Sequence, residues 1–415
     1  MDKKLREDAD IIIKASIGAV MPDAAVRKAL SGRTYGGRVY LVAIGKAGWQ
    51  MARTAADCLG VQLTAGVCVT KYGHVLGDID RVTCYEAGHP VPDENSFMAT
   101  QAAIDLVCDL NEDDTVIFLI SGGGSALFEK PLIPAGQLQD ITDELLACGA
   151  DIVEINTIRK RLSAVKGGKF AMLCSPARVE SIILSDIIGD PLDMIASGPA
   201  CADTSTREDA IAIIKKYNLK LSDDALKLIE IETPKQIENV TTTINGSVSQ
   251  LCMAACDAAA ALGYEPVLLT DRLTCHAREA GSFLASIVRT HYEEGKKTAF
   301  IAGGETVVKL TGKGKGGRNQ ELALSAAPII SRLTGCAVFS VGSDGTDGPT
   351  DAAGGYVDHT SEEILKANNI SVFDVLADND SYNALSVCDG LIFTGPTGTN
   401  VNDVAVGLIC PPGYN

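Results

Sequence analysis

The sequence predicts an α/β protein of two domains, the first of them built on a parallel sheet. Three observations lead there. The chain has 415 residues, more than one hydrophobic core ordinarily organises. Apolar runs of strand length recur along it, the clearest being Thr115–Ile120, and runs without polar alternation suit strands covered on both faces. Such runs give way to glycine-bearing turns and then to segments of helical character, the alternation that builds strand–helix–strand units.

In order, residues 1 to 30 read as helix, with Ile11, Ile12, Ala15, Ile17 and Val20 on one face and a break near Pro22. Arg38 to Ile44 is strand-like, and Gly45-Lys46-Ala47-Gly48 leads into a helix from Trp49 to Leu59. A lysine in a strand-to-helix turn lies near the positive end of the helix dipole, where an anion is favoured. A surface lysine in a glycine turn is the plain alternative. Strands are expected at Val67 to Thr70 and Val82 to Glu86, the second running into Ala87-Gly88-His89-Pro90-Val91-Pro92-Asp93. His89, held between glycine and proline, cannot lie in a regular helix or a central strand. A helix is expected from about Asn95 to Leu110.

The apolar run at Thr115 ends in Ser121-Gly122-Gly123-Gly124-Ser125. Three glycines let backbone N–H groups come close to an anion, and the position beyond a strand's carboxyl end is where phosphates bind in open α/β sheets. A tight strand-to-helix turn is the competing reading. The loop is neither familiar nucleotide fingerprint: Ser125 and Ala126 come after Gly124 where a Walker A loop needs Lys-Ser/Thr, and Leu127 stands where G-x-G-x-x-G needs glycine. Helices are expected at Ala135 to Cys148 and Glu154 to Leu162. The second places Asn156, Arg159 and Ser163 on one face, with Lys160 and Arg161 expected on a solvated one. Beyond the strand Val179 to Leu184, Asp186 and Asp190 are placed for a base or a Mg²⁺ ligand, although helix capping would account for one of them. The charged amphipathic stretch from Leu219 ends near Glu238, and the polar segment Glu238 to Asn245 is the expected domain boundary, dividing 1–240 from 241–415.

The second domain opens with an alanine-rich helix, Ser247 to Leu262, a strand at Glu265 to Thr270, a helix from His276 to Glu293, and a strand, Thr298 to Ala302, ending in Gly303-Gly304-Glu305. Two β-prone segments are expected to flank a glycine-rich basic loop, Gly312 to Arg318, mobile enough to close on phosphates. Lys313 and Lys315 suit a solvated tip. Arg318 opens a helix where a cation opposes the dipole, so it needs a partner. After the strand Ala337 to Val341, Asp344, Asp347 and Asp351 are spaced among glycines as a cation-binding or base-bearing loop, without the EF-hand pattern.

Composition narrows the function classes. Against 36 basic residues stand 53 acidic ones, a net charge of −17, which argues against non-specific nucleic-acid binding and against an anionic membrane surface. An anionic substrate must then be met by locally placed Lys and Arg. The 13 cysteines form no Cys-x-x-Cys pair and the 5 histidines show no zinc spacing. Reduced thiols in a cytoplasm are expected, since the charged first residues are unlike a signal peptide and no apolar run is long enough to span a bilayer.

Taken together the motifs resemble one family, the glycerate 2-kinases whose C-terminal portion is the MOFRL domain. The matching segments are AIGKAG (43–48), AGHPVPDENS (87–96), SGGGSALFEKP (121–131), INTIRKRLSAVKGGK (155–169), SDIIGDPLDMIASGP (185–199), GGETVVKLTGKGKGGRNQELAL (303–324) and SVGSDGTDGPTDAAGG (340–355). One departure is Arg161, where His is expected in many members. The resemblance implies transfer of the ATP γ-phosphoryl group to the 2-hydroxyl of D-glycerate. It also implies a Rossmann-like N-terminal domain, a smaller α/β C-terminal domain, and an active site in the cleft between them. Lys46 and Arg318 match the lysine and arginine regarded as catalytic in this family.

On this reading Lys46, Arg318, Asp186 and Asp190 carry the chemistry, and Ser121, Gly122, Gly123, Gly124 and Ser125 hold the nucleotide. His89, Asn156, Arg159 and Lys166 bind substrate, and Asp344, Asp347, Asp351 and Glu305 are the candidate metal ligands. ATP and Mg²⁺ are the expected cofactors, and D-glycerate and ATP the small-molecule partners, with neither nucleic acid nor membrane. A homo-oligomer is compatible with the sequence, which does not fix that state. Two readings of other classes stay open: an NAD(P)H-dependent hydroxypyruvate reductase, against which the missing G-x-G-x-x-G argues, and a non-catalytic small-anion sensor.

Overall fold

The structure is a computed structural model that describes residues 1–413. It divides into two compact units, Ala25–Asn245 and Met1–Ala24 together with Gly246–Asn415.

The first unit is organised by six strands, β1 (Val39–Ile44), β2 (Leu63–Lys71), β3 (Val82–Ala87), β4 (Thr115–Ile120), β5 (Arg178–Leu184) and β6 (Val240–Gly246), in the order β3-β2-β1-β4-β5-β6. The pairings β2–β3, β1–β2, β1–β4 and β4–β5 are parallel. Every residue of β1 and β4 is buried, because helices cover both faces of the sheet and no polar alternation is needed. On one face Leu41 and Ala43 pack with Met51, Ala52 and Ala55 of the helix Gly48–Leu59. On the other, Val42 and Phe118 pack with Ala99 and Ala103 of the helix Glu94–Val107 and with Phe128 and Phe170. A helical layer of its own, formed by Ala135–Ala147, Ile152–Leu162, Arg207–Tyr217 and Asp223–Ile229, closes around Leu145, Ile158, Leu162 and Ala225.

The second unit carries a mixed sheet: β7 (Glu265–Leu273), β8 (Thr298–Gly304), β9 (Cys336–Gly342), β10 (Gly354–Asp358), β11 (Leu391–Ile392) and β12 (Asp403–Ile409), in the order β11-β10-β9-β12-β8-β7. The pair β7–β8 is parallel, whereas β12 lies antiparallel to both β8 and β9, and β10 antiparallel to both β9 and β11. The helices Ala277–His291 and Arg318–Ile330 cover one face, and Val248–Ala261 covers the other.

Two differences from the sequence expectation concern the boundary. The segment expected as the boundary, 238–245, holds all but the last residue of β6, whose Val-Thr-Thr-Thr-Ile run is β-branched and completes the edge of the first sheet. The N-terminal helix, Lys3–Ala19, belongs with the second unit and not with residues 25–240. Its buried face is Leu5, Ala9, Ile12, Ile13 and Ile17, packed in one cluster with Val248, Leu251, Cys252 and Ala255, while Ile11 and Ala15 face outward. The two β-prone segments expected around the basic loop are also absent as strands, the stretch 306–317 holding only an isolated bridge between Val307 and His276. Among the described residues no helix is long and apolar enough to cross a membrane.

Candidate active site

In the first sheet the chain leaves β1 in opposite directions, β2 on one side and β4 on the other, so a crevice opens at their carboxyl ends. The two turns that flank it are laced together. Lys46 N–H donates to the Gly122 carbonyl at 2.8 Å. The Ser121 hydroxyl accepts from Ala47 N–H at 3.1 Å and donates to the Ile44 carbonyl at 3.1 Å. The Lys46 carbonyl meets Thr70 Oγ1 at 3.3 Å and His74 Nδ1 at 3.0 Å. The backbone of Lys46 is thus held on both sides while its side chain stays half-buried.

Each glycine of the loop answers to a different neighbour. A Cβ on Gly122 would lie 2.2 Å from a carboxylate oxygen of Asp186. Gly123 has φ +85, and a Cβ there would lie 2.9 Å from His89 Cδ2 and 3.2 Å from Lys46 Cγ. One on Gly124 would lie 2.7 Å from Ala196 Cβ. The bare loop therefore lets Lys46, His89 and Asp186 close around it. Burial, reinforced by the Lys46 charge, holds the His89 pKa below its usual value, so the ring is neutral at pH 7.

Behind the loop lie the residues expected to bind substrate. Ser197 Oγ donates to Asn156 Oδ1 at 2.9 Å and lies 3.0 Å from Ser125 Oγ. The Ser125 carbonyl accepts from Arg159 Nη2 at 3.1 Å and from Lys166 Nζ at 2.8 Å, and Lys166 also donates to the Phe128 carbonyl at 3.0 Å. Both cations face the fully buried Glu129, at 3.2 and 3.4 Å. Burial pulls the Lys166 amine down to about 8, against the Glu129 charge. Asn156, Arg159 and Lys166 are thus engaged in holding the loop from behind, because the one-turn helix Gly124–Leu127 leaves carbonyls that need donors. Ser121 is engaged in the same structural work.

Lys160 and Arg161, expected on a solvated face, are among the most deeply buried side chains of the chain. Lys160 donates to Asp203 at 2.9 Å, and Arg161 to the Thr157 and Ser205 carbonyls and to Glu232. Asp203, Ser205 and Glu232 come from far along the chain, an arrangement that no local pattern encodes, so the charges are paired internally.

Two features passed over in the sequence belong to the site. The turn after β2 carries Lys71, Tyr72 and His74 at the level of Lys46 after β1, and weighing the turn at the end of each expected strand would have found it. Tyr72 donates to Asp93 at 2.6 Å, which steadies the segment bearing His89. The other feature is the left-handed run Ala196, Ser197 and Gly198, at φ 52, 61 and 66. Two non-glycine residues there mark a backbone held against its preference, and this run is what meets Gly124.

In the second unit Arg318 opens the helix Arg318–Ile330 and has the partner its position demands, a two-pronged contact with Asp403 at 2.5 and 3.0 Å, with Glu305 at 3.6 Å. The expected metal ligands are not gathered. Asp347 accepts from the backbone N–H groups of Gln320 at 2.8 Å and Asn319 at 3.2 Å, capping that helix from a distance, and burial pushes its carboxyl up to about 7. Asp351 accepts from Tyr382 at 2.8 Å, Asp344 from Thr346 N–H at 3.0 Å, and Glu305 faces Arg318. Among the described residues no three His, Cys, Asp or Glu side chains are grouped to hold a metal ion. Each carboxylate already has a partner of its own. The basic loop is no free tip either: Lys313 N–H donates to Asp378 at 3.1 Å, Lys315 N–H to Asp380 at 2.9 Å, and the Lys315 ammonium sits 3.9 Å above the Tyr382 ring.

Mg²⁺ on a nucleotide needs only one or two carboxylates beside the phosphates. Asp186 against Gly122 fits that demand; Asp190, four residues on, keeps a buried Oδ1 without a hydrogen-bond partner. The glycine loop, with a cation and a neutral imidazole over it, fits phosphate.

The sequence comparisons agree with this geometry. Residues 8–230 match the family described as domain of unknown function DUF4147, and residues 298–403 match the MOFRL family. The D-glycerate 2-kinase of Thermotoga maritima is 50% identical over 413 residues, covering 98% of this chain and 99% of that protein. The chain belongs to the MOFRL glycerate 2-kinase family. The glycerate 2-kinase of Pyrococcus horikoshii is 44% identical, over 90% of this chain and 88% of its own. A crystal structure of glycerate kinase from Thermotoga maritima superposes with a TM-score of 0.95 at 49% identity, covering 98% of this chain and all of that one. A two-unit α/β architecture is therefore the form shared with a glycerate 2-kinase family member of known structure.

Proposed function

We propose that the protein transfers the γ-phosphoryl group of ATP to the 2-hydroxyl of D-glycerate, with Lys46 and the glycine loop at the centre of the reaction. One observation carries this reading: the Lys46 stem and the His89 ring lie over a left-handed Gly123, where any side chain would fill the space a phosphate needs. Phosphoryl transfer asks for position and for charge on the moving oxygens, and little covalent work from the protein. Gly122, Gly123 and Gly124 receive the nucleotide phosphates. Lys46 stabilises the transferring group, its backbone fixed by Gly122, Thr70 and His74 so that the ammonium returns to one place. His89, uncharged, offers an acceptor to a glycerate hydroxyl. Of Asp186 and Asp190, one draws the proton from the 2-hydroxyl and the other would hold Mg²⁺, which when bound would neutralise phosphate charge. Arg318 is a further cation for the reaction. Asn156, Arg159 and Lys166 act by keeping the loop in shape.

On this proposal Ala25–Asn245 carries the nucleotide and substrate groups. Nucleotide supply and reduced thiols suit the cytoplasm. The test is glycerate-dependent ADP release, run beside NAD(P)H oxidation with hydroxypyruvate, with the product's phosphate located by NMR. ADP release with phosphate on the 2-position is expected. NAD(P)H oxidation without ADP release would make the protein a reductase, and glycerate binding with neither would make it a sensor.

A further inference from the structure

Beside the glycine loop, within the unit Ala25–Asn245, lies a cavity of about 740 Å³ that none of these roles uses. The start of the helix Glu94–Val107 forms one wall, and the helices Ala135–Ala147 and Ile152–Leu162 form the others. Its size is that of a small-molecule site. The lining is mainly apolar, and Val91, Leu146 and Ile152 on it are 53%, 58% and 63% exposed, a bare apolar surface that a folded chain seldom leaves without use.

Two residues join the cavity to the loop. Arg159 lines it, and its Nη2 donates to the Ser125 carbonyl. Pro90 lines it too and comes directly after His89, whose ring lies against Gly123. The cavity and the loop are therefore one side chain apart. Their chemistries are opposite. Among the described residues Arg159 is the only cation on the cavity wall, and it is already engaged by Ser125 and Glu129, whereas Asp93, Glu94 and Asp143 are acidic. Such a wall repels phosphate and carboxylate. It suits a flat, uncharged, largely apolar ring that presents hydrogen-bond donors at its edge. Glycerate, with an oxygen on every carbon, does not fit that description. A nucleotide joins the two chemistries in one molecule.

We propose that this cavity receives the nucleobase of the phosphoryl donor, an adenine ring lying on the apolar wall with its exocyclic amine toward the acidic rim, while its phosphates run past Arg159 to Gly122–Gly124. The assignment rests on the kinase reading. It places donor selection in the helical layer and leaves the acceptor to Lys46 and His89.

The experiment has two arms on the full chain. In the first, 8-azido-ATP with Mg²⁺ is photolysed on the protein and the labelled peptides are mapped. Label within residues 90–97 or 135–159, suppressed by excess ATP, is the expected result; ATP-protected label confined to other segments overturns the proposal. In the second, Leu146→Asp and Ile152→Asp, both at exposed positions that tolerate polarity, are assayed for turnover. The KM for ATP should rise about tenfold in each, since a carboxylate replaces part of an apolar wall, while the KM for glycerate stays within about twofold. Unchanged ATP dependence in both folded variants also overturns it. Absence of glycerate-dependent ADP release in the unaltered protein would instead sink the kinase reading, an outcome neither arm can be mistaken for.

Discussion

The two glycine-rich loops of this chain look alike in sequence and are approached by different kinds of neighbour. Gly122–Gly124 comes after a buried strand, and the groups that approach its bare backbone are those proposed for the reaction: Lys46, His89 and the Asp186 carboxylate. Gly312, Gly314, Gly316 and Gly317 lie among more charge, yet the groups that approach them are the chain's own wall. A Cβ on Gly314 would lie 2.4 Å from Asp380 Cβ, and one on Gly312 would lie 2.3 Å from the Asp378 backbone. The basic loop is zipped to an acidic segment through its backbone, and the Lys315 ammonium sits over the Tyr382 ring. Glycine content marks close approach, and only the identity of the approaching group separates a ligand cradle from a packed seam.

The largest effect that tests this contrast is on rate. Lys46→Ala should lower kcat by about 10³-fold, with a much smaller change in the KM for ATP, if its charge serves the transition state. Arg318→Ala should fall in the same class, and Arg318→Lys should recover little, because a point charge cannot match the planar fork that meets Asp403. Steady-state kinetics with folding checked by thermal melting decides this, and near-normal kcat in Lys46→Ala would remove the centre of the mechanism.

Next comes the support behind the first loop. Lys166→Met should destabilise the fold by about 3 kcal/mol or more, since it strips donors from two carbonyls and leaves Glu129 buried with only Arg159. Denaturant titration measures this; a loss under about 1 kcal/mol would mean the charge cluster does not hold the loop.

The two loops themselves should then separate. Gly123→Val should raise the KM for ATP at least about tenfold while the protein still melts cooperatively, because a side chain there displaces His89 and Lys46. Gly314→Ala should do the reverse, costing about 1 to 3 kcal/mol by overpacking against Asp380 with little change in that KM. Swapped outcomes would invert the assignment of cradle and seam.

The smallest effect is a pH dependence. The folded pKa of Asp347, raised to about 7 by burial, exceeds its ordinary value of 3.8, so the stability it contributes is complete below about 3.8 and is lost as pH rises through 7. Asp347→Asn removes this contribution. The melting temperature of that variant should therefore gain on the parent chain between pH 5 and pH 8, and a gap that stays constant across that range would refute the buried titration.

The sequence alone determined the strands and the turns that end them. The uninterrupted apolarity of β1 and β4 required cover on both faces, and their carboxyl ends had to carry Lys46 and Ser121–Ser125. It also required a partner for Arg318, by the unfavourable placement of a cation at a helix start, without telling which acid that would be. Tertiary structure decided the rest, because contacts between distant segments leave no local pattern. Lys160 and Arg161 have the spacing of a solvated face, and only partners far along the chain, Asp203, Ser205 and Glu232, turned them inward. Asp344, Asp347 and Asp351 have the look of a metal loop, and folding gave each its own donor: Asn319 and Gln320 for Asp347, Tyr382 for Asp351, a local amide for Asp344. A carboxylate's chemistry is set by what it is hydrogen-bonded to, and a partner dozens of residues away is fixed by the fold, not by spacing along the chain.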